Sequence, residues 1–276
     1  KNKPKDMQTA VNYFAVFGGL DVKIDTSKPL RTLIIRHILD EYYEIQESIE
    51  KLTQNNAPYH KILTGLALGD RRTTTAFKRA DVDYDEGIET ISNLAHLGIL
   101  TKETPVDFVQ SEKIRNEKLN KLLFTTPFLR FWFAFVSPLY RGIAREEYDE
   151  SFERFNNYQL EFMHLIFEQL SHEFIKSAFA DDEIEKIGRY WDEDKNDLDL
   201  IAKTKSGKIL IGSCKYTNTK VKKNELNRLH AICEKLEIVP DCTVLFSKSG
   251  FSNELKAEKG NALKLYTVKS LKALIL

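Results

Sequence analysis

The chain has 276 residues, of which 42% are hydrophobic and 11% aromatic, and its 41 basic residues balance 41 acidic ones. This composition argues against wholesale disorder, and the length predicts about two domains of roughly 100–200 residues each. Three scattered cysteines exclude a disulfide framework. No apolar run approaches the about 20 residues of a membrane span and no secretory signal is predicted, so we expect a cytoplasmic protein with no membrane partner.

Residues 1–56 are predicted to form a helical segment. Apolar spacing predicts a helix over residues 7–17 that ends at Gly18. Pro29 is predicted to open one long amphipathic helix that runs to about Leu52. The polar run over residues 53–56 indicates a linker to the next domain.

Residues 57–142 are predicted to form a winged helix-turn-helix, because three short helical patterns are followed by strand-like sequence. The third helix begins sharply, with Asp83 as its N-cap and Glu86 three residues later. Such modules often place this helix in the major groove of DNA. Here the helix carries acidic residues and no lysine or arginine, so a packing or protein-contact role is an equal alternative.

Residues 143–276 are predicted to form an α/β sandwich around a mixed sheet, so the fold class is α/β (α+β). A long helix is predicted over residues 151–179 and a shorter one over 224–236. The predicted strands cover residues 197–203, 208–216, 242–247 and 263–268, and a helix is predicted to end the chain. The first two strands are joined by a short turn and therefore form a hairpin.

Charge is strongly segregated in this last part, although the net charge is zero. Residues 181–199 contain nine acids, and residues 203–228 contain eight bases with Glu225 as their single acid. An acidic block can hold a divalent cation and a basic block can hold phosphates, which suits an enzyme that acts on a polyanion. The alternative is a pair of oppositely charged solvated faces.

Two acids and one lysine form the candidate catalytic constellation. Asp199 lies in the first strand of the hairpin and Lys215 near the end of the second, so both side chains can point into one cleft. Glu168 lies on the long helix, and Glu161, seven residues earlier, shares its face. Phosphodiester cleavage with Mg²⁺ needs oxygen ligands and a positive group near the attacking water. We therefore predict Asp199, Glu168 and Glu161 as metal ligands and Lys215 at the nucleophile.

This pattern resembles the PD-(D/E)xK signature of the restriction-endonuclease-like fold. Four segments also resemble, in the same order, an archaeal and bacterial family of AAA-type (P-loop) ATPases, which carry a winged helix and a C-terminal nuclease-like domain of unassigned function. The segments are RFWFAFV (130–136), IGRYWDEDKNDLDLIA (187–202), ILIGSCKY (209–216) and VLFSKSGFSNEL (244–255). FAVFGGL (14–20) is similar to the end of that family's ATPase part, so the resemblance implies that residues 1–56 correspond to an ATPase lid.

The chain departs from this family in two ways. It has no GxxxxGK[ST] motif, so it contains no ATP site. The signature has an acid two positions before the lysine, where this chain has Ser213, a much weaker ligand for Mg²⁺. Glu161 or Asp197 could supply the missing carboxylate. Cys214 alternates with its neighbours on the strand and is predicted to lie in the core.

The sequence thus predicts a nucleic-acid-processing protein with a Mg²⁺-dependent, endonuclease-like domain and DNA as its expected partner. Basic residues after the hairpin are predicted to bind the nucleic-acid backbone: Lys220, Lys222, Lys223 and Arg228. The alternative, favoured by Ser213, is an inactive DNA-binding or protein-docking module that regulates a partner ATPase.

Structural roles are predicted for most of the other chemistry-bearing residues. Five histidines show no HExxH pattern and are predicted to have surface or capping roles: His60, His96, His164, His172 and His230. Tyr190 and Trp191 are predicted to pack in the core rather than to stack on a base. The polar segment 247–250 is predicted either to contact phosphate or to form a plain turn.

Overall fold

The computed structural model describes residues 4–106 and 120–275. Within this range the chain forms two compact units, which we describe separately. The first is chiefly residues 9–103 and 120–162, and the second is chiefly the chain from Met163 onward together with residues 104–106. The mixed α/β class predicted from the sequence is confirmed. None of the helices in the described ranges combines the length and the apolar character needed to span a membrane.

The first unit begins with helices, and the helix predicted over residues 7–17 is confirmed. They are α1 (Met7–Phe17), α2 (Leu30–Ile34), α3 (Tyr42–Leu52), α4 (Ala57–Ala67), α5 (Thr73–Ala80) and α6 (Tyr84–His96). The single helix predicted from Pro29 to Leu52 is wrong. A π-helical turn (Ile35–Leu39) separates α2 from α3, and the amide of Asp40 bonds to the carbonyl of Ile35 five residues earlier.

Helix α6 is followed by a two-stranded antiparallel sheet of β1 (Leu100–Glu103) and β2 (Lys121–Phe124). The predicted cap of α6 is confirmed, since the carboxylate of Asp83 accepts a hydrogen bond from the Glu86 amide at 3.0 Å. Beyond β2 lie α7 (Pro127–Phe131), a buried π-helical turn (Trp132–Val136), a 3₁₀ turn (Ser137–Leu139) and α8 (Tyr140–Ile143). Helix α9 (Asp149–Ala178) follows, and the boundary between the two units falls within it.

The second unit is built on a five-stranded mixed sheet in the order β3-β4-β5-β6-β7. The strands are β3 (Ile184–Trp191), β4 (Asp197–Thr204), β5 (Ile209–Lys215), β6 (Cys242–Ser247) and β7 (Leu263–Thr267). The first three are antiparallel, and β6 and β7 continue the sheet in parallel. The remaining helices are α10 (Lys223–Lys235), which crosses from β5 to β6, and α11 (Asn253–Ala257). The predicted terminal helix is a 3₁₀ helix (Val268–Ile275).

The sheet is covered on both faces because its central strands are apolar on both sides. On one face Ile211 and Leu245 share a core with Leu229 of α10. On the other face aromatic rings of α9 meet rings of β6 and β7: Phe174 lies 4.8 Å from Tyr266 and 5.8 Å from Phe246, between ring centroids. Residues on alternate positions of β5 therefore face different helices, which brings side chains of α9 and α10 to opposite sides of one strand.

Part of the charge segregation is explained by strand pairing. Acids before and within β3 form ion pairs with bases in β4 and in the β4–β5 turn: Glu183–Lys205 at 2.6 Å, Asp182–Lys208 at 3.2 Å and Glu185–Lys203 at 3.7 Å. The hydroxyl of Ser206 contributes most to lowering the pKa of Asp182 to about 2. These acids and bases neutralise one another, so they are not the separate cation-binding and phosphate-binding surfaces that the sequence suggested.

Gly212 is required where β5 pairs with β6. A Cβ atom there would lie 2.6 Å from both the carbonyl oxygen and the Cγ2 atom of Val244. Because the backbone of a central strand cannot move without losing ladder bonds, we expect Gly212→Ala to lower the free energy of unfolding by about 1–3 kcal/mol. Urea denaturation measures the change. Gly260→Ala is the control, since its Cβ would approach only the Glu258 carbonyl, at 3.9 Å. Equal midpoints for the two variants would contradict the prediction.

Candidate metal centre

The candidate site lies where β4 and β5 separate. Their ladder ends with the pair Leu200 and Gly212, and Asp199 and Ser213 lie directly beyond it. The Asp199 carboxylate is buried, and its Oδ2 atom accepts a hydrogen bond from the Cys214 amide at 2.9 Å. It also lies 3.1 Å from the Ser213 hydroxyl. The end of β5 therefore fixes the position of this acid.

Lys215 and Asp199 meet at the fork, by which we mean the point where β4 and β5 separate. The Lys215 ammonium lies 3.5 Å from Asp199 Oδ2 and 3.3 Å from Glu225 Oε1, which reaches the site from α10. Burial alone would raise the pKa of Asp199, but the charges of Lys215 and Arg189 outweigh it and lower the pKa. Burial alone would lower the pKa of Lys215, but Asp199 and Glu225 raise it. Lys215 is thus a charged ammonium at neutral pH and cannot take a proton from water.

Glu168 approaches the same place from α9. Its side chain is 2% exposed, its Oε1 atom lies 3.1 Å from Arg189 Nε, and its Oε2 atom lies 3.7 Å from His164 Nε2. Arg189, on β3, also reaches Asp197 at 3.4 Å and Asp199 at 3.9 Å. The site is therefore a continuous network of acids and bases contributed by three strands and two helices.

Three of these residues could share a metal ion. His164, Glu168 and Asp199 each offer one ligand atom, and these atoms all lie within 4.8 Å of one another. Two ligand atoms bound to one divalent cation at about 2.1 Å are separated by at most about 4 Å. A small movement of these side chains would therefore bring all three ligand atoms within bonding distance of one ion. Two carboxylates suit Mg²⁺, whereas an imidazole is more typical of first-row transition metals. Sequence interpretation gave His164 no metal role. The signal for it was the spacing of four residues to Glu168, which places both on one helix face.

Two other acids predicted as carboxylate donors lie outside this cluster. Glu161 Oε1 accepts a hydrogen bond from the Gly69 amide at 2.6 Å, two helical turns before Glu168. Asp197 is partly exposed and contacts Arg189. The structure brings neither into the group that could share a metal.

The carboxylate of Glu225 reaches the side chain of Ser213. Ser213 is buried, and its hydroxyl lies 2.7 Å from Glu225 Oε1. Burial alone would raise the pKa of Glu225, but hydrogen bonds from Arg228 and the charge of Lys215 lower it, so the acid is ionised. Sequence reasoning did not select Glu225, although it was the single acid of the basic block.

The four bases predicted to bind a nucleic-acid backbone differ in their surroundings. Lys223 pairs with Glu258 at 2.6 Å, and Arg228 pairs with Glu225 at 2.7 Å. These two charges are compensated within the protein. Lys220 and Lys222 are exposed on the segment before α10.

A further lysine lies close to this segment. The backbone amide of Lys248 bonds to the Lys215 carbonyl at 3.0 Å, and its ammonium bonds to Asn218 at 2.7 Å. We call Lys220, Lys222 and Lys248 the basic rim, because all three lie on loops at the carboxyl ends of β5 and β6.

Three residues considered as alternatives are buried in the core, as predicted. Cys214 is fully buried, and burial raises the pKa of its thiol well above the usual value, so it is not a nucleophile. Tyr190 and Trp191 are each 1% exposed, which excludes stacking on a base.

Comparison with known proteins identifies one region. Neither the curated proteins nor the solved structures contain a match to this chain. Residues 132–228 match a family (DUF234) described as archaea bacterial proteins of unknown function. The matched segment begins at Trp132 and ends at Arg228, and it contains every acid and base of the network described above, from His164 to Glu225.

Proposed function

We propose that the second unit is a metal-dependent phosphodiesterase that cleaves nucleic acid. The observation that carries this proposal is the fork between β4 and β5. There Asp199 lies 3.5 Å from Lys215 and shares a possible metal shell with Glu168. In metal-dependent hydrolysis of a phosphodiester, paired carboxylates can hold the cation and a charged lysine can stabilise the phosphate.

Each residue has a distinct role in this proposal. Asp199 and Glu168 hold the cation, which when bound would activate a water molecule and offset charge on the phosphate. Lys215 remains protonated, so it stabilises the negative charge that develops on the phosphate oxygens. Glu225 supplies the acid absent at Ser213 and keeps Lys215 directed at the site.

The basic rim suggests how a polyanion would approach. Lys220, Lys222 and Lys248 lie on loops next to the end of β5, where Lys215 also lies. Phosphates of a nucleic-acid strand, with DNA as the expected polymer, would contact this rim while one phosphodiester reaches the metal centre. A restriction-endonuclease-like fold for this unit belongs to the same proposal.

The first unit is proposed to dock a protein partner. Helices α4 to α6 and the β1–β2 sheet follow one another in the order of a winged helix. Asp85 and Glu86 are exposed in the first turn of α6, where they would repel phosphates. An ATPase is the proposed partner, because in the family that the sequence resembles an ATPase domain is joined to a winged helix in one chain.

Cleavage assays test the catalytic proposal directly. Supercoiled plasmid, single-stranded DNA and RNA are incubated with Mg²⁺ or Mn²⁺ and the wild type, Asp199→Asn or Lys215→Met. We expect cleavage by the wild type and a loss of about 100-fold or more in each variant, because Asp199→Asn lacks a charge that holds the cation and Lys215→Met lacks a charge that acts on the phosphate. Lys235→Met, at an exposed position late in α10, is the matched control and should cut normally. Absence of wild-type cleavage on all three polymers, or equal cleavage by the variants, would refute the proposal.

The second candidate is a metal-free binding module. Its supporting observation is Arg189, an internal cation that already contacts Glu168, Asp197 and Asp199. This candidate predicts DNA binding that weakens steeply with salt and no cleavage. Ser213→Glu tests whether such a module derives from a nuclease. Cleavage gained by this variant would indicate a nuclease site that lost one acid.

A further inference from the structure

We infer that the cation of this site is a first-row transition-metal ion and that His164 selects it over Mg²⁺. This inference rests on the metal site of the proposed function. It adds a ligand that neither the sequence pattern nor the family match assigns, and it changes the class of ion expected there.

The two oxygens of Glu168 face different partners. Oε1 lies 3.1 Å from Arg189 Nε, whereas Oε2 lies 3.7 Å from His164 Nε2. Arg189 therefore holds one side of the carboxylate and leaves the other side directed at the imidazole. An ion between His164 and Glu168 would not have to displace the guanidinium from Oε1.

The ligand atoms are positioned by rigid elements on both sides. Glu168 and His164 lie one turn apart on α9, whose Phe167 packs 5.4 Å from Tyr216, between ring centroids. His172, one turn further along α9, lies 2.8 Å from the backbone carbonyl of Asp199 and ties that strand to the helix. These contacts hold the three donors close together, which lowers the cost of assembling the site.

The site is open to solvent on the histidine side. The His164 side chain is 35% exposed, whereas those of Glu168 and Asp199 are 2% and 9% exposed. An ion would meet the imidazole first and the buried carboxylates behind it. This gradient gives a metal ion from solution a path to ligands that are otherwise enclosed.

The donor set decides the class of ion. Carboxylate oxygens suit Mg²⁺, Ca²⁺ and Mn²⁺, whereas imidazole suits first-row transition metals. Mg²⁺ is bound through oxygen ligands and retains several water molecules. One imidazole with two carboxylates therefore favours a first-row transition-metal ion over Mg²⁺. Mn²⁺ has the lowest affinity of that series for a given site, so it is the most stringent probe of this preference.

Metal binding by the tag-free full chain tests the inference without any substrate. Titration calorimetry measures the affinities for MnCl₂ and MgCl₂, and the electron paramagnetic resonance of free Mn²⁺ gives an independent reading. We expect wild type to bind Mn²⁺ at least about 10-fold more tightly than Mg²⁺. His164→Ala and His164→Gln should weaken Mn²⁺ binding by about 10-fold or more and change Mg²⁺ binding by less than about 2-fold. His230→Gln, at an exposed position of α10, is the control and should bind as wild type.

Several results would overturn the inference. They are equal affinities of wild type for the two ions, no Mn²⁺ binding at millimolar concentration, or His164 variants that bind Mn²⁺ normally. In the last case His164 is only an ion-pair partner of Glu168. These failures are distinct from failure of the proposed function: tight, His164-dependent Mn²⁺ binding without cleavage of any polymer would refute the nuclease and leave this inference standing.

Discussion

Asp199→Ala should lower the free energy of unfolding of the second unit by about 3–5 kcal/mol, the range for removing one partner of a buried ion pair. The reason lies in what remains behind. Arg189 is buried and Lys215 is half-buried, and both direct positive charge at the Asp199 carboxylate. The amide of Cys214 would also lose its acceptor. Since whole domains are stable by only about 5–15 kcal/mol, this is a large fraction of the total.

The measurement requires a probe confined to the second unit. Of the two tryptophans, Trp191 lies in β3 of the second unit and Trp132 in the first unit. In a Trp132→Phe background, urea denaturation followed by tryptophan fluorescence reports on the sheet that carries Asp199. EDTA keeps metal binding out of the comparison. Asp181→Ala, at an exposed position, is the control and should change stability by less than about 0.5 kcal/mol. A loss at Asp199 no larger than at Asp181 would contradict the prediction.

The pH dependence of the free energy of unfolding, compared between wild type and Asp199→Asn, shows whether the surroundings of Asp199 favour its charged form. The pKa of Asp199 is lowered from its ordinary value of 3.8, mainly because Lys215 and Arg189 outweigh the effect of burial. When a carboxyl group has a lower pKa in the folded state than in the unfolded state, it stabilises the protein in full at any pH above the unfolded-state pKa. This stabilisation disappears as the pH falls through the folded-state pKa. We therefore expect the difference in free energy of unfolding, the gap between wild type and Asp199→Asn, to be constant above about pH 5 and to narrow below about pH 4. A gap that widens in acid would mean that Asp199 is protonated in the folded protein.

The meeting of Asp199 and Lys215 was accessible to sequence reasoning because it depends on local structure. A short turn joins β4 to β5, and two adjacent antiparallel strands place nearby residues side by side. Glu168 was selected for a similarly local reason, its place on one face of a long helix. Hairpins and long helices have strong periodic signals, so their faces can be predicted from the letters alone.

Arg189 was missed because the strand that carries it was missed. β3 contains Glu185 and Lys186 at exposed positions, and its pairing with β4 shifts register near Gly188. A charged strand with a register shift lacks the regular alternation by which strands are recognised. The sequence therefore suggested separate acidic and basic surfaces, whereas several of these residues pair across β3 and β4.

Glu225 and His164 were missed for a different reason. Both helices were predicted, but which of their residues reach the sheet depends on how each helix is placed across it. Glu225 lies in the first turn of α10, close to the end of β5, and only the crossing from β5 to β6 brings it next to Ser213. The prediction of one long helix from Pro29 was wrong for a separate, local reason, because one π-helical turn leaves no clear trace in the apolar pattern.

Glu225→Gln should reduce metal-dependent cleavage by about 100-fold or more while leaving the fold intact. The glutamine oxygen can still accept hydrogen bonds from Ser213 and Arg228, so the packing of α10 is retained. What is lost is the negative charge 3.3 Å from the Lys215 ammonium, next to the Ser213 hydroxyl. Plasmid cleavage under saturating Mn²⁺ measures the loss, with the urea midpoint as the check on folding. Glu234→Gln, at an exposed position later in α10, is the matched control.

A second variant separates a chemical role of Glu225 from a structural one. Glu225→Ala removes the side chain and makes room beside β5, and Ser213→Glu in that background returns one carboxylate to the site from the strand. If the site requires an acid at this point, the double variant should cleave at least about 10-fold faster than Glu225→Ala alone, because the charge near Lys215 is restored. If Glu225 serves only to hold Arg228 and the start of α10, the added acid will bring no recovery and Glu225→Gln will cleave at the wild-type rate.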